Sequence, residues 1–256
     1  MKIAIVTGAS SGMGKEFVKH LTGWDKHLEE IWVIARRRER LEELQTECAC
    51  PLRILDGDLM DPGFRESIKK LLQEEKPWVR ELVNSAGLGR NGSVWEQGIS
   101  QASSATQMTE LNVTALTDMT QMVLPYMRAG SRILNLASAA AFCPQPYFAI
   151  YAATKAYVLS FSMALGQEIS ARKIYVTAVC PGPVNTEFFD HEGMRPSGWK
   201  KFFMTHPRRV VAKALKDAAR KKRVSVCGLS MKLLQIVTKL LPNIWIVRLT
   251  EIVSRP

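Results

Sequence analysis

The chain has 256 residues, 46% of them hydrophobic and 23% charged, which suits one large globular domain or two small ones. Four scattered histidines and five cysteines without paired spacing predict reduced thiols and no metal site. The net charge of +11 fits an anionic membrane surface, a phosphorylated cofactor or nucleic acid, but no nucleic-acid-binding motif is present and we expect no such partner. The opening apolar segment is too short for a signal peptide, and no apolar run reaches the roughly 18 residues of a membrane span, so we expect a cytoplasmic protein.

The chain begins with an apolar, β-rich strand at residues 2–7, followed by a glycine-rich turn and a helix from Lys15. Glycines let the backbone turn tightly and approach a phosphate, and a helix N-terminus offers free N–H groups and a positive dipole end. The order strand, glycine turn, helix therefore predicts a dinucleotide site rather than a turn without a ligand. Its candidate residues are Gly8, Ser10, Ser11, Gly12, Met13 and Gly14.

A second strand, residues 31–35, leads into Arg36 and Arg37. In nucleotide-binding α/β folds an acidic side chain near this point holds the ribose 2′-hydroxyl, whereas a basic one accepts a 2′-phosphate. No acid lies between Glu30 and Glu39, and arginine suits phosphate, so the loop favours NADP(H) over NAD(H). The alternative is a solvated helix start.

Strands three and four also end in candidate loops. Residues 52–55 lead to Asp58 and Leu59, and residues 81–83 lead to the small-residue loop Asn84-Ser85-Ala86-Gly87. A long helix is predicted over residues 101–127, with Asn112 among apolar neighbours. An asparagine inside a helix needs partners for its amide, either in a functional site or simply in the core.

The strongest chemical pattern follows the strand at 132–137, which ends at Ser138. Tyr151 and Lys155 lie one helical turn apart and so share one face of a helix. Since ligands bind at strand ends in open α/β sheets, a hydroxyl, a phenol and an ammonium can converge on one carbonyl group. We expect the Lys155 ammonium to lower the pKa of the Tyr151 phenol toward neutrality.

The strand at 174–179 ends in residues 180–186, and a loop rich in aromatic and large apolar residues follows, which we interpret as a lid over an apolar substrate. Its large residues are Phe188, Phe189, Trp199, Phe202, Phe203 and Met204. Beyond a last strand at 224–227, residues 229–256 form an amphipathic extension broken at Pro242. Its polar stripe is Lys232, Gln235, Lys239 and Asn243, and its apolar surface could cover the substrate pocket, a second subunit or, less favoured, a membrane.

Alternating strands and helices without a linker predict one α/β domain, a parallel sheet of about seven strands with helices on both faces. With these motifs in this order, the chain resembles the short-chain dehydrogenase/reductase family over residues 2–228, with the catalytic core at 1–228 and the hydrophobic extension at 229–256. Ser85 stands where the family more often has a second asparagine. The resemblance implies a doubly wound, Rossmann-type fold and a homodimer or homotetramer.

The resemblance also implies roles for individual residues. Tyr151 would be the proton donor or acceptor, Ser138 would orient the substrate oxygen, Lys155 would hold the nicotinamide ribose, and Asn112 would support a water. The dinucleotide would contact the glycine turn, Arg36, Arg37, Asp58, Leu59, Asn84, Ala86, Gly87, Tyr151, Lys155, Pro181, Gly182, Val184 and Thr186.

Three functions remain open at this point. The first is an NADP(H)-dependent oxidoreductase acting on an apolar ketone, aldehyde or secondary alcohol, which the intact residues Ser138, Tyr151 and Lys155 favour. The second is a dinucleotide-binding scaffold without catalysis. The third is a reductase of lipid-like ketones that works at a membrane surface.

Overall fold

The computed structural model describes residues 1–95, 102–189 and 204–254. Its seven strands form one parallel sheet in the order β3-β2-β1-β4-β5-β6-β7, which confirms the predicted doubly wound α/β architecture. The strands are β1 Lys2–Thr7, β2 Glu30–Ala35, β3 Leu52–Asp56, β4 Trp78–Asn84, β5 Arg132–Leu136, β6 Tyr175–Val179 and β7 Val224–Ser225.

The helices between these strands cover both faces of the sheet. They are α1 Gly12–Trp24, α2 Arg38–Thr46, α3 Pro62–Glu75, α4 Ala102–Thr109, α5 Leu116–Val123, α6 Ala149–Glu168 and α7 Pro207–Ala219. Two more, α8 Leu229–Leu240 and α9 Asn243–Ser254, form the C-terminal extension. No helix within the described residues is both long and apolar enough to cross a bilayer.

The β1 strand shows why the sheet is buried on both faces. Ala4 and Val6 belong to a core cluster that includes Phe17 of α1. Ile3 and Ile5 point the other way, into a cluster that includes Met119 of α5. Because neighbouring side chains alternate across a strand, a central parallel strand covered on both sides reads as a continuous apolar run.

The strand order reverses between β1 and β4, which pair directly, with Thr7 opposite Asn84. At such a switch point the following connections leave toward opposite faces and open a crevice at the carboxyl ends of the strands. The glycine turn and the loop after Asn84 both border this crevice. The Thr7 hydroxyl accepts 3.0 Å hydrogen bonds from the backbone N–H groups of Ser85 and Ala86, which fixes the two loops side by side.

The long helix predicted over residues 101–127 differs from the one observed. Between α4 and α5 the chain forms a π-helical segment, Glu110–Ala115, with Asn112 buried inside it. A π-turn inserts an extra residue, rotates the following face and is frequent at functional sites. A period-3.6 pattern cannot show this, because the insertion depends on what Asn112 contacts in space.

Candidate active site

Three side chains predicted to act together do lie together. Ser138 follows β5, while Tyr151 and Lys155 lie on the first two turns of α6, and the last two are only 8% and 5% exposed. The Lys155 Nζ atom lies 5.7 Å from the centroid of the Tyr151 ring. The spacing of four residues on one helix face places the phenol and the ammonium side by side, as expected.

Backbone groups hold two of these side chains in place. Lys155 Nζ donates a 2.8 Å hydrogen bond to the Leu136 carbonyl at the end of β5. The Ser138 hydroxyl accepts a 3.1 Å bond from the Ala140 N–H and begins the short 3₁₀ turn Ala139–Phe142. Both anchors belong to the β5 end, so the strand positions the lysine and the serine as one unit.

Burial controls the proton affinities in the site. It raises the pKa of the Tyr151 phenol to about 12, and the Ser138 hydroxyl opposes this by hydrogen bonding. It lowers the pKa of the Lys155 ammonium to about 8. The expected lowering of the tyrosine pKa by the lysine is therefore not what the structure shows, since desolvation of the phenolate outweighs the hydrogen bond from Ser138.

Asn112 is bound firmly between two elements of the site. Its Nδ2 atom donates to the Leu88 carbonyl at 2.8 Å and to Thr154 Oγ1 at 3.1 Å, and its Oδ1 accepts from the Leu88 N–H at 2.8 Å. These bonds connect the loop after β4 to α6, beside Lys155. Asn112 thus positions that loop against the helix of Tyr151, while its predicted support of a water stays a prediction.

The loop after β4 passes directly over this group. A Cβ atom on Gly87 would lie 3.2 Å from Asn112 Oδ1 and 3.3 Å from Lys155 Nζ. The Asn84 side chain, by contrast, points into the core, where it donates to Thr120 Oγ1 at 3.0 Å and to Asn135 Oδ1 at 2.9 Å. Asn84 therefore joins β4, β5 and α5, and only its backbone borders the crevice.

The glycine turn has the geometry expected of a phosphate loop. Gly8 and Gly12 have positive φ angles of 67° and 53°, and a Cβ on Gly8 would lie 2.8 Å from the Ala86 backbone. Ser11 precedes α1, and among the described side chains it makes no capping bond there. The first-turn N–H groups of α1 are thus available to an anion. The remaining predicted residues of this turn, Met13 and Gly14, lie on α1 and pack toward the core.

The arginines after β2 are held to different degrees. The side chain of Arg36 is 72% exposed, with the Asp58 carboxylate 3.8 Å away. Arg37 donates to Ser10 Oγ and to Glu187 Oε2, both at 3.2 Å. Glu187 also accepts from Arg40 Nη1 at 2.5 Å, and the two arginines lower the pKa of its carboxyl group.

The loop after β6 closes the other side of the crevice. The Pro181 carbonyl accepts a 2.8 Å bond from the Ala139 N–H, which ties the β6 end to the Ser138 segment. The Thr186 side chain lies 3.4 Å from the position of a Cβ on Gly12. The predicted residues of this loop therefore reach from the reacting group to the glycine turn. Val184, also predicted, is buried and bridges to Thr205.

Leu59, the last predicted contact, is buried, and its carbonyl accepts a 2.5 Å bond from Arg65.

Of the proposed lid, Phe188 lies within the described side chains, whereas Trp199, Phe202 and Phe203 lie outside the described residues. The Phe188 ring centroid is 5.7 Å from that of Tyr151, and the Phe148 ring stacks on the tyrosine at 4.3 Å. Two aromatic rings thus pack against the tyrosine ring.

Several residues of the site were not predicted from the sequence. Phe148 has no motif, although its position three residues before Tyr151 could have suggested a helix-face neighbour. Buried Cys180, whose pKa burial raises to about 12, adjoins Ser138 and Lys155. Glu187 and Arg40 are 147 positions apart in the chain, and no local pattern pairs them.

Comparison with known proteins agrees with this geometry. A family model described as short chain dehydrogenase matches residues 2–195. Sulfoacetaldehyde reductase 2 from Chromohalobacter salexigens is 33% identical over 193 residues, 73% of this chain and 74% of that protein.

Solved structures share the fold over nearly the whole chain. A short-chain dehydrogenase from Sphingobium yanoikuyae in complex with NADPH has a TM-score of 0.77 and 25% identity, covering 95% of this chain and 97% of that one. A short-chain dehydrogenase/reductase from Burkholderia phymatum in complex with NAD also has a TM-score of 0.77, at 19% identity, covering 93% and 92%. With the family model matched over most of its length, the chain belongs to the short-chain dehydrogenase family and is an oxidoreductase of that family.

Proposed function

We propose that this protein is an NADP(H)-dependent reductase or dehydrogenase of an apolar ketone, aldehyde or secondary alcohol. The observation that carries the proposal is the group of half-buried Ser138 and buried Tyr151 and Lys155 at the β5 end, facing the glycine turn across one crevice. The proposed reaction is of the EC 1.1.1 type.

The residues around the crevice fit a nicotinamide dinucleotide. Gly8 and Gly12 hold a turn whose left-handed backbone a side chain would strain, and the α1 N-terminus behind it suits a diphosphate. Gly87, without a side chain, lets the loop after β4 pass close to Lys155, which we propose holds the nicotinamide ribose. Asp58, Leu59, Ala86, Pro181, Gly182, Val184 and Thr186 are the further proposed contacts along the same crevice.

The dinucleotide supplies a hydride to, or accepts one from, the substrate carbon. In the reductive direction Tyr151 Oη gives its proton to the substrate oxygen, and the Ser138 hydroxyl donates a hydrogen bond to that oxygen as negative charge develops on it. With a pKa of about 12, the phenol is protonated at neutral pH and is ready as an acid. The Lys155 ammonium beside it stabilises the phenolate that remains.

The preference for NADP(H) rests on the arginines after β2. Arg36 has its guanidinium largely in solvent at the rim of the glycine turn, and Arg37 reaches Ser10 within that turn. Arginine forks bind phosphate through two parallel bonds. The Sphingobium yanoikuyae structure contains NADPH and the Burkholderia phymatum structure contains NAD, so this chain's own charges carry the preference.

An apolar substrate fits the walls around Tyr151. Phe148, Phe188 and Leu88 pack with the tyrosine in one hydrophobic cluster, so a substrate carbonyl would reach the phenol between apolar surfaces. The named substrate of the Chromohalobacter salexigens relative, sulfoacetaldehyde, is small and charged. The apolar preference therefore comes from this chain's aromatic residues and not from that relative.

Three further properties complete the proposal. We place the chain in the subset of the family with a hydrophobic C-terminal extension, because α8 and α9 add two largely apolar helices. We also propose a homodimer or homotetramer. A cytoplasmic location suits the five cysteines, all of which are free thiols.

A carbonyl panel tests this proposal. Wild-type protein should oxidise NADPH with one or more apolar ketones or aldehydes, and Arg36→Ala should raise the KM for NADPH about tenfold while changing that for NADH little. Equal losses for both cofactors would refute the phosphate role of Arg36. Tight NADPH binding with no turnover over the whole panel would refute the enzyme and favour the dinucleotide-binding scaffold.

A further inference from the structure

The two C-terminal helices turn their most apolar side chains toward solvent. Leu229 is 84% exposed, Leu240 77% and Trp245 61%. We call the exposed large apolar residues of α8, α9 and the turn between them the tail stripe: Leu229, Leu233, Ile236, Val237, Leu240, Leu241, Ile244, Trp245 and Leu249. Monomeric soluble proteins rarely expose contiguous apolar surface of this kind unless it binds something.

The orientation of the tail stripe follows from how the helices are anchored. Met231 packs into a core cluster with Cys180 and Val226 and lies against Gly182, while Thr238 and Ile246 are buried. In α8 the exposed positions 229, 233, 236 and 240 recur at helical spacing, so they form one face opposite the anchored one. A surface helix normally buries such a face, and here the fold presents it outward.

Basic residues border and interrupt the tail stripe. Lys232, Lys239 and Arg248 are all exposed and lie between its apolar positions. Lys213, Lys222 and Lys232 also line a recess of about 210 Å³ beside Ile236 of the stripe, where Asp217 pairs with the first two and leaves a net positive charge. The apolar surface therefore continues into a cationic edge.

This charge pattern distinguishes between two occupants of the stripe. A two-fold contact between copies places the same patch against itself, which would bring these lysines and the arginine toward their own counterparts. An anionic lipid surface instead attracts each cation. Leucine and isoleucine enter the boundary of the acyl chains, and tryptophan prefers the headgroup level.

We propose that the tail stripe docks on an anionic bilayer surface, with α8 and α9 lying in the plane of the membrane interface. Lys232, Lys239 and Arg248 contact lipid phosphates, and the apolar side chains between them enter the acyl boundary. Because Met231 lies against Gly182, the opposite, anchored face of α8 packs on the β6 loop of the candidate active site. Vesicle binding requires neither cofactor nor substrate, so it can be measured whether or not the proposed reaction holds.

Flotation with lipid vesicles tests the apolar part of the surface. Wild-type protein should float with phosphatidylcholine vesicles that contain phosphatidylglycerol, and poorly with phosphatidylcholine alone. Trp245→Ser/Leu249→Ser should lose at least tenfold in affinity. Val94→Ser/Trp95→Ser is the matched control, because Trp95 is 80% exposed outside the tail, and it should float like wild type.

A second pair of variants tests the charge. Lys232→Gln/Lys239→Gln should weaken binding to the anionic vesicles about tenfold at moderate salt. Lys69→Gln/Lys70→Gln removes the same charge from exposed positions on α3 and should change binding less than twofold. Thermal melting of all four variants, followed by circular dichroism, shows whether each is folded.

Three results would overturn the proposal. The first is wild-type protein that stays with the soluble fraction in the presence of anionic vesicles. The second is an equal loss of binding in the tail variants and in their controls. The third is a wild-type dimer, measured by light scattering, that the Trp245→Ser/Leu249→Ser variant converts to monomer while neither binds vesicles, which would make the tail stripe a subunit interface.

Discussion

The crevice at the carboxyl ends of the strands has two differently built halves. Beside β5, Tyr151 and Lys155 are almost fully buried, and burial shifts both pKa values toward the neutral forms. Beside β1 and β2, Arg37 and Glu187 are partly exposed, and pairing lowers the pKa of the carboxyl group. Desolvation therefore dominates the pKa values of Tyr151 and Lys155, whereas ion-pair partners dominate the pKa of Glu187.

The difference fits the role proposed for each half. A proton-transferring phenol needs a dry, fixed surrounding in which its charge matters strongly. A phosphate-binding loop needs cations that can exchange partners with a mobile ligand, and exposed ion pairs are weak enough to do so. Variants in the two halves should therefore differ both in the size and in the kind of their effects.

The largest effect is expected in the buried half. Tyr151→Phe removes the proton-transferring hydroxyl and should lower kcat about a thousandfold, roughly 4 kcal/mol of barrier, while NADPH binding stays within twofold. Tyr157→Phe on the same helix is the control, because its hydroxyl lies at the surface, 3.0 Å from Thr117 Oγ1. Steady-state rates with a panel substrate measure both, and comparable losses in the two variants would remove Tyr151 from the reaction.

The second prediction uses the lowered pKa of Lys155. Between about pH 8 and 10.5 the unfolded chain holds this proton and the folded chain has released it. Stability rises with pH wherever the unfolded state binds more protons than the folded state. The buried Lys155 therefore lowers the free energy of unfolding by its full amount below pH 8, and this penalty disappears as the pH approaches 10.5. The wild-type protein should gain up to about 1.4 kcal/mol per pH unit relative to Lys155→Met across this window.

Urea denaturation of both proteins at several pH values measures that slope. Burial raises the pKa of Tyr151 and that of Cys180 to about 12, so both groups keep their protons in the folded state over this window and cancel in the difference. A difference in the free energy of unfolding that stays constant from pH 7.5 to 10 would show that Lys155 is not desolvated as the structure describes.

The smallest effect is expected in the exposed half. Glu187 neutralises Arg37 and Arg40, and a 2′-phosphate would have to displace it. Because partly exposed pairs contribute about 0.2–1 kcal/mol, Glu187→Gln should raise the affinity for 2′,5′-ADP about threefold and leave that for 5′-AMP unchanged. Titration calorimetry measures both ligands.

Glu42→Gln is the matched control for this variant, since it removes the same charge from the exposed pair with Arg38. An equal gain in the control would assign the effect to net charge. A wild-type protein with no preference for 2′,5′-ADP over 5′-AMP would instead contradict the proposed NADP(H) specificity itself.

Local patterns predicted much of this protein. The glycine turn and the Tyr151–Lys155 spacing each depend on a few adjacent residues, and the structure shows each in place. The alternation of strand and helix likewise allows few topologies, because crossovers between parallel strands are right-handed.

The sequence by itself therefore determined the fold class, the glycine turn and the placement of Tyr151 and Lys155 on one helix face, because backbone conformation and side-chain periodicity are local properties. Only the tertiary structure decided the rest: the burial that raises the tyrosine pKa, the Glu187 bridge between two arginines, and the outward face of the tail. Each of these depends on which distant segments meet and how much water they exclude. Neither desolvation nor pairing across 147 positions leaves a local signal in the chain.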